Sequence, residues 1–365
     1  MRIRKARETM TSRERVLRTF ALERTDRVPI NYSSNPTIHR KFADALGTAG
    51  DHEAFLNALG VDFRGIGAEF VGKCPFPELP GLRVNPVYGF YTRWVENEYG
   101  GYDDFCAFPL AGASDEAIDA FPCPDPGEFD VDSAVSNLDR FGDRAVSCGG
   151  AGTGDIINSI GRVMGMEDTL VNLLTEHPPT LRLIDRKLDM ELGVLARILE
   201  RAGDRVDFMW LGEDLGTQRA PMIGAELYRR VLRPRHQRFI DLAKRHRLPV
   251  MVHTCGASSW VYEDFVEMGV SAVDTLQPEA EGMSPESLTE RFGGRLAFHG
   301  CISTAGPLAY GSAADAAAYC KRTLEVMMPR RGYFFAPTHA IQDNTPVENL
   351  FAMYQAAHDF GRYGS

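Results

Sequence analysis

The chain carries histidine, cysteine and acidic side chains directly after short apolar runs. His253 and Cys255 follow the run 249–252, and residues two apart point to the same side of an extended strand. Imidazole and thiolate are both good zinc ligands, and a catalytic zinc site needs three protein ligands and one open position. The spacing therefore predicts two ligands of a zinc site, with His339, Cys301 or Glu213 as the third.

A His-x-Cys pair is a weak motif by itself, because a buried thiol beside a hydrogen-bonded histidine would look the same. Its position at the end of a predicted strand favours a functional site. Zinc deprotonates a bound thiol and holds it as a thiolate, which is the nucleophilic form of sulfur. Such a site suits alkyl transfer to sulfur, and it would equally suit the activation of water.

Further polar side chains follow the other predicted strands. Glu213 is expected to be a metal ligand or a proton acceptor, and Gln277 a catalytic residue that orients substrate through hydrogen bonds. Asp214 has two interpretations: it binds substrate, or it caps the next helix, since aspartate is a preferred N-cap residue. Asn344 and Gln342 are predicted to contact substrate.

Two other features receive structural interpretations. His299 is expected to lie within a strand and to serve the core. The glycine-rich run 149–154 follows a predicted strand, but it has no Gly-Lys-Ser/Thr and no early βαβ context, which argues against a nucleotide site. Its glycines are expected to let the backbone approach a large ligand or to form a tight turn.

Alternating short apolar runs and helical patterns must position these side chains. A Thr-x-x-Glu capping box at Thr11 and Glu14 begins the first predicted helix. Repeated βα units imply a parallel sheet, and a strand count near eight favours a (β/α)8 TIM barrel over a Rossmann-like doubly wound sheet. The predicted strands are 27–31, 61–66, 145–149, 206–211, 249–253, 272–276, 295–299 and 333–337, and the predicted helices include 166–174, 179–201, 228–245 and 313–328.

The barrel is expected to form a single domain over residues 1–365. Residues 70–140 are rich in proline and aromatic residues, and the alternation in 88–95 predicts a hairpin strand. This region is interpreted as an irregular excursion over one end of the barrel.

Composition excludes several classes of protein. The net charge of -10 argues against a nucleic-acid partner, and no run approaches the roughly 18 apolar residues of a membrane span. The seven cysteines are odd in number and scattered, which is not a disulfide framework. A cytoplasmic location is the expectation, and a homodimer is one open expectation for the oligomeric state.

Several motifs together resemble the uroporphyrinogen-decarboxylase-like superfamily over nearly the whole chain. The resemblance is weakest over 70–140. It implies the same barrel that the strand count predicts. The matching stretches are Thr-Ser-Arg-Glu-Arg-Val-Leu (11–17), Asp-Arg-Val-Pro (26–29), Gly-Glu-Asp-Leu-Gly-Thr-Gln (212–218), His-Thr-Cys-Gly (253–256), Thr-Leu-Gln-Pro (275–278), Ala-Pro-Thr-His-Ala-Ile-Gln (336–342), Thr-Pro (345–346) and Glu-Asn (348–349).

The resemblance favours the corrinoid-dependent methyltransferase branch. Members of that branch carry a His-x-Cys pair and a later cysteine as zinc ligands, and they move a methyl group between a corrinoid protein and a thiol or another acceptor. His253 and Cys255 match the pair, whereas His339 stands where the later cysteine is expected and Cys301 could compensate. The methylcobamide is expected to arrive on a partner protein, because the chain has no Asp-x-His-x-x-Gly motif.

Two alternatives remain open. The first is a metal-free decarboxylase, but the Arg-Gln-Ala-Gly-Arg element typical of uroporphyrinogen decarboxylases is absent after Pro29, and a substrate with many carboxylates needs such a cationic clamp. The second is a barrel that binds a small molecule without catalysis.

Overall fold

A computed structural model describes residues 2–364. The strands are β1 (Phe63–Ile66), β2 (Glu69–Phe70), β3 (Arg83–Val84), β4 (Tyr91–Asn97), β5 (Gly100–Cys106), β6 (Phe129–Asp130), β7 (Ala145–Gly149), β8 (Phe208–Gly212), β9 (Val250–Thr254), β10 (Ala272–Thr275), β11 (Ala297–Ile302) and β12 (Tyr333–Pro337). The helices are α1 (Ser12–Phe20), α2 (Pro36–Leu46), α3 (His52–Leu59), α4 (Asp115–Asp119), α5 (Val131–Ser136), α6 (Ile157–Met164), α7 (Met166–Leu174), α8 (Pro178–Ala202), α9 (Ala225–Leu227), α10 (Arg233–Arg245), α11 (Tyr262–Met268), α12 (Pro285–Phe292), α13 (Pro307–Tyr310), α14 (Ala313–Met327) and α15 (Val347–Phe360).

A parallel sheet of seven strands forms the centre of the molecule. Its strand order is β1-β7-β8-β9-β10-β11-β12, and every neighbouring pair is parallel. The order follows the chain without the reversal that defines a doubly wound sheet, so the Rossmann-like alternative was wrong. The fold is α/β with a curled sheet, consistent with a TIM-like barrel.

The predicted first strand forms only an isolated bridge. Ile30 pairs with Phe335 of β12, and the Asn31 amide donates to the Phe335 carbonyl at 2.9 Å. The Ile30 carbonyl accepts from the Asp62 amide, just before β1, at 2.9 Å. The segment therefore makes backbone hydrogen bonds to residues at both edges of the sheet.

Residues between β1 and β7 form smaller sheets. Strands β3, β4 and β5 make an antiparallel sheet, and β2 pairs with β6. The predicted hairpin strand is present as β4. This region packs against the helices that follow β7, since the Tyr88 hydroxyl donates to Glu191 of α8 at 3.0 Å.

Two details of the helices differ from the predictions. Thr11 caps α1 by accepting from the Glu14 amide, which is half of the predicted capping box. The predicted helix 228–245 is divided, because Tyr228–Leu232 is π-helical and α10 begins only at Arg233.

A cluster of buried charges lies at the amino-terminal ends of the strands, and we call it the lower cluster. Asp62 immediately precedes β1 and is fully buried. Its carboxylate lies 2.6 Å from Arg15 Nη1 and 2.7 Å from Arg27 Nη1. Arg15 Nε also lies 2.7 Å from Asp26 Oδ1. Each guanidinium of the lower cluster is therefore paired within the protein.

Within residues 2–364, no helix has the length and apolar character needed to cross a membrane.

Candidate metal centre

A cavity of about 740 Å³ opens where the strands of the main sheet end. Carboxyl ends of parallel strands are where barrels of this kind carry their active sites. The glycine-rich run after β7 contributes backbone to the wall, as its composition suggested. The wall residues include Arg64, Gly149, Gly150, Ala151, Gly152, Asp155, Asn158, Arg162, Trp210, Asp214, His253, Cys255, Asp274, Thr275, His299 and His339.

Three potential metal donors converge on this cavity: Asp214, His253 and Cys255. Their ligand atoms all lie within 4.8 Å of one another. Cys255 Sγ lies 3.4 Å from His253 Nε2, and Nε2 lies 3.7 Å from Asp214 Oδ1. Tetrahedral zinc with ordinary bond lengths spaces such donor atoms by roughly 3.3–3.6 Å. The donor set therefore fits one zinc ion with a fourth position facing the cavity.

Strand alternation brings these side chains to the same side. The cavity is lined by Trp210 and Asp214, which are four residues apart, and by His253 and Cys255, which are two residues apart. An even spacing along an extended segment directs both side chains to the same side. The backbone of Gly256 has a φ of 68°, and a Cβ there would lie 2.3 Å from the Gly216 carbonyl oxygen. Only glycine allows this close approach, which holds the loop of Cys255 against the loop of Asp214.

Asp274 lies behind His253 and joins it to a second histidine. Its Oδ2 lies 2.7 Å from His253 Nδ1, and its Oδ1 lies 2.5 Å from His299 Nδ1. The three residues occupy one register level of β9, β10 and β11, because Asp274 pairs with His253 on one side and with His299 on the other. A carboxylate on Nδ1 leaves Nε2 free to bind metal.

Hydrogen bonds also orient the other two donors. Asn158 Nδ2 donates to Asp214 Oδ2 at 2.8 Å. The Cys255 amide donates to Asp214 Oδ1 at 2.9 Å, and the adjacent Gly256 amide donates to Gln277 Oε1 at 2.7 Å. The loop that carries Cys255 is thus fixed by two neighbouring strand ends.

The charges of the cluster suit a bound cation. Burial lowers the pKa of His253, but the hydrogen bond and charge of Asp274, with Cys255, raise it well above its usual value. Burial raises the pKa of Asp214, but His253 and the Cys255 amide bring it below its usual value. The cluster therefore holds a proton on His253 beside a carboxylate, and a metal ion binds by displacing such protons.

The structure separates the predicted third ligands from this cluster. His339 is exposed on the cavity wall, outside the group of three donors. Cys301 is fully buried and does not line the cavity. Gly300 and Cys301 have φ values of 116° and 64°, and this turn of the backbone interrupts the alternation that would have pointed Cys301 inward.

Glu213 lies on the other side of its strand end, away from the cavity. Its carboxylate accepts from the amides of Ile156 and Ile157 at 2.8 and 3.0 Å, and it lies 3.2 Å from His236 Nε2. Burial raises the pKa of Glu213 to about 7 against the lowering effect of the two amides. These contacts hold the start of α6, so Glu213 supports the cavity wall rather than lining it.

The remaining predicted site residues lie outside the cavity wall. Gln277 acts on the loop of Cys255 through Gly256, as described above. Gln342 is exposed, and its Nε2 donates to the Ala340 carbonyl at 2.6 Å. Asn344 is half-buried and does not line the cavity.

Sequence reasoning missed Asp274 and Asn158, and it gave His299 only a structural role. A signal for two of these residues was available. Strands β9, β10 and β11 each carry one histidine or acid directly after an apolar pair, at His253, Asp274 and His299. An acid between two histidines at the same position of successive strands indicates a shared hydrogen-bond chain.

Comparison with known proteins relates the chain to one family. The family model described as Uroporphyrinogen decarboxylase (URO-D) matches residues 163–360. A solved structure described as a methyltransferase from Methanosarcina mazei has a TM-score of 0.67 at 15% sequence identity, and the match covers 96% of this chain and 99% of that chain. At this identity the likeness shows the fold alone. No curated protein matches the chain.

Proposed function

The chain belongs to the uroporphyrinogen decarboxylase family, and from this premise we propose that it is a zinc-dependent methyltransferase. It moves a methyl group between a corrinoid protein and a thiol or another acceptor. The observation that carries the proposal is the convergence of Asp214, His253 and Cys255 at the cavity. Carboxylate, imidazole and thiolate together are a zinc donor set, which a metal-free decarboxylase does not need.

Asp214 is the third ligand in this proposal. It replaces His339 and Cys301, which the resemblance favoured, because its Oδ1 lies 3.7 Å from His253 Nε2. Asn158 holds the second carboxylate oxygen of Asp214, and the first oxygen, which also accepts from the Cys255 amide, is the one that lies beside His253 Nε2 and would bind the metal. The later cysteine of the methyltransferase branch is thereby replaced by an acid from a neighbouring strand end.

Zinc bound here would supply a Lewis acid that keeps a substrate thiol in its thiolate form. The chain's own residues prepare that position. Asp274 fixes the orientation of the His253 ring. Trp210 and the glycine-rich run after β7 form the adjoining wall, which limits access of water to the reacting sulfur.

The corrinoid partner and the domain organisation belong to the same proposal. A methylcobamide on a separate protein would approach the cavity mouth, where His339 is exposed. We also propose that residues 1–365 act as one domain and that the segment at Ile30 serves as the eighth strand position of the barrel.

Elemental analysis of the purified protein tests the proposal. We expect about one zinc per chain in the wild type and loss of zinc from Cys255→Ser, because a hydroxyl is a much poorer zinc ligand than a thiolate. Cys106→Ser is the matched control, since Cys106 is half-buried but lies outside the cavity wall.

The outcome decides between the candidate activities. Zinc that is retained by Cys106→Ser and lost from Cys255→Ser would justify assays with methylated corrinoid protein and thiols. A wild-type protein that neither contains zinc nor takes it up on titration would exclude this mechanism, and the decarboxylase or binding-protein alternative would take its place.

A further inference from the structure

Asn31 joins the segment at Ile30 to the histidine behind the donor cluster. Its Nδ2 lies 3.0 Å from His299 Nε2, and its Oδ1 accepts from the Tyr32 amide at 2.8 Å. A backbone amide can donate only to the oxygen of a carboxamide, so the contact with Tyr32 fixes which end of the Asn31 side chain faces the histidine. The NH2 group, which only donates, therefore points at Nε2.

The backbone of Asn31 is held as firmly as its side chain. The Asn31 amide donates to the Phe335 carbonyl at 2.9 Å, and the Asn31 carbonyl accepts from the Tyr354 hydroxyl at 3.1 Å. The side chain cannot turn over without losing its bond to the Tyr32 amide. The orientation of the NH2 group is thus set by the fold.

The contact with Asn31 determines where His299 carries its proton. A neutral imidazole has one donor nitrogen and one acceptor nitrogen, whereas a cationic imidazole has two donors. Since Nε2 faces an NH2 group, it must accept. The single proton then lies on Nδ1, which donates to Asp274 Oδ1 at 2.5 Å. These hydrogen bonds therefore describe a neutral His299.

The surroundings of His299 explain why Asn31 is needed. The ring is buried, and the ring centres of Phe63, Trp210 and Phe334 lie 5.8, 5.5 and 6.1 Å from its own. Within residues 2–364, Asp274 is the only ionisable side chain that hydrogen-bonds to it. Burial disfavours a cationic ring and the carboxylate favours one. Asn31 decides between them by occupying Nε2 with a donor.

The charge of His299 decides where the negative charge of Asp274 acts. The other oxygen of this carboxylate lies 2.7 Å from His253 Nδ1. A cationic His299 would neutralise the carboxylate and place a positive charge behind the donor cluster. A neutral His299 donates a hydrogen bond without cancelling the charge, so the carboxylate continues to strengthen His253 as a metal ligand.

We propose that Asn31 is a positioning residue that holds His299 as a neutral imidazole with its proton on Nδ1, and so reserves the charge of Asp274 for His253. The inference gives the segment at Ile30 a part in tuning the donor cluster. Its effect on zinc rests on the proposed function and deepens it, whereas the state of the ring does not depend on a metal.

Nitrogen NMR on protein with isotope-labelled histidine tests the state of the ring. The His299 signals are identified by their loss in His299→Gln. In the wild type, with and without zinc, we expect an unprotonated Nε2 and a protonated Nδ1 throughout roughly pH 6 to 8, the range in which an ordinary histidine titrates. A doubly protonated ring, or a proton on Nε2, would overturn the inference.

Two substitutions test the role of Asn31. Asn31→Asp keeps an acceptor for the Tyr32 amide and puts a carboxylate oxygen in place of the NH2 group, which should make His299 a cation at neutral pH. Asn31→Leu removes the donor, so His299 can take a second proton as the pH falls. In Asn31→Leu, the loss of zinc affinity from about pH 8 to about pH 6 should exceed that of the wild type roughly three- to fivefold, less than the roughly tenfold loss for a direct partner of a metal ligand.

Competition with a chelator measures these affinities. Asn344→Leu is the matched control, because Asn344 is also half-buried but does not line the cavity, and its pH dependence should equal that of the wild type. A purely structural role of Asn31 would lower the zinc affinity of Asn31→Leu equally at both pH values and would leave His299 neutral in Asn31→Asp. That result would overturn the inference.

The inference and the proposed function fail in different ways. Zinc uptake by a wild type whose His299 is doubly protonated would support the zinc mechanism and overturn the role of Asn31. A wild type that takes up no zinc would exclude the zinc mechanism. The His299 signals of the metal-free wild type and of metal-free Asn31→Asp would then decide the inference.

Discussion

The two ends of the sheet both bury charged side chains, but they use them differently. In the lower cluster, Asp62 lies between Arg15 and Arg27, and all three are shielded from solvent. At the opposite end, the ligand atoms of Asp214, His253 and Cys255 face a cavity. The lower cluster satisfies its charges within the protein, and the metal cluster leaves a position for a ligand.

This difference separates stability from chemistry. Breaking a buried ion pair by removing one partner is strongly destabilising, because the other charge is left buried and unpaired. A cluster that opens to a cavity loses less on substitution, since water reaches the groups that are left. In barrels, residues at the amino-terminal ends of the strands generally serve stability, and residues at the carboxyl ends serve catalysis. The fully paired lower cluster and the cavity-facing metal cluster follow this division.

The largest effect is expected from Asp62→Asn in the lower cluster. The change removes the buried carboxylate that Arg15 and Arg27 share and leaves Asp26 and Glu8 as their ion-pair partners, so we expect the free energy of unfolding to fall by about 3 kcal/mol, the lower end of the range for a broken buried pair. Denaturant unfolding measures it. The matched control is Asp119→Asn, which breaks an exposed pair with Arg182 and should cost less than about 1 kcal/mol. Equal effects of the two changes would contradict the comparison.

The same variant should alter the response to acid. Burial opposes ionisation of Asp62, but Arg27 and Arg15 hold the pKa of its carboxyl below the usual value. Because the folded pKa is depressed, this carboxylate adds stability above the pKa of the unfolded chain, about 3.9, and that stability is lost as the pH falls through the folded pKa. Asp62→Asn should therefore show a shallower loss of stability below pH 4.

Asp214→Asn should separate metal binding from stability at the upper end. Loss of an outer partner of a metal ligand costs roughly 10–100-fold in affinity, so loss of a ligand should cost at least that much in zinc affinity. Competition with a chelator measures the affinity, and unfolding of the metal-free protein should change by less than about 1 kcal/mol. His339→Ala is the control that should retain zinc; zinc loss there instead would return the third-ligand role to His339.

Asp274→Asn should give the smallest effect and the sharpest comparison. Asp274 is buried and paired on both sides, as Asp62 is, but its partners are histidines rather than arginines. We expect zinc affinity to fall roughly tenfold, at the lower end of the range for outer partners of metal ligands. A stability loss as large as that of Asp62→Asn would show that Asp274 belongs with the structural charges.

Much of the fold was predictable because it depends on local pattern. Strands β7 and β12 have the predicted bounds, since each is a short apolar run between helices. The segment at Ile30 was harder to predict, because its pairing partners lie in β12 and just before β1, far apart in the sequence. Those distant contacts determine that the segment forms an isolated bridge instead of a regular strand.

The site was predictable where alternation continues and unpredictable where it stops. His253 and Cys255 point to one side as their spacing required. The same alternation, counted from Trp210, places Asp214 on the cavity side and Glu213 on the opposite side. Glu213 was chosen as a site residue for its chemical type, without asking to which side of the strand it points. Cys301 was unpredictable, because the positive φ values at Gly300 and Cys301 leave no mark in the pattern of side chains.

The hydrogen bond between Asn31 Nδ2 and His299 Nε2 links residues that are 268 apart in sequence, at 3.0 Å. The donors Asp214 and Cys255 are only 41 apart. Closing the longer loop costs roughly 1.7 kcal/mol more in chain entropy, and contacts between near neighbours in sequence tend to form first during folding. The metal donors can therefore assemble within a few successive βα units. The hydrogen-bond chain from Asn31 through His299 and Asp274 to His253 is complete only when the segment at Ile30 docks on the sheet.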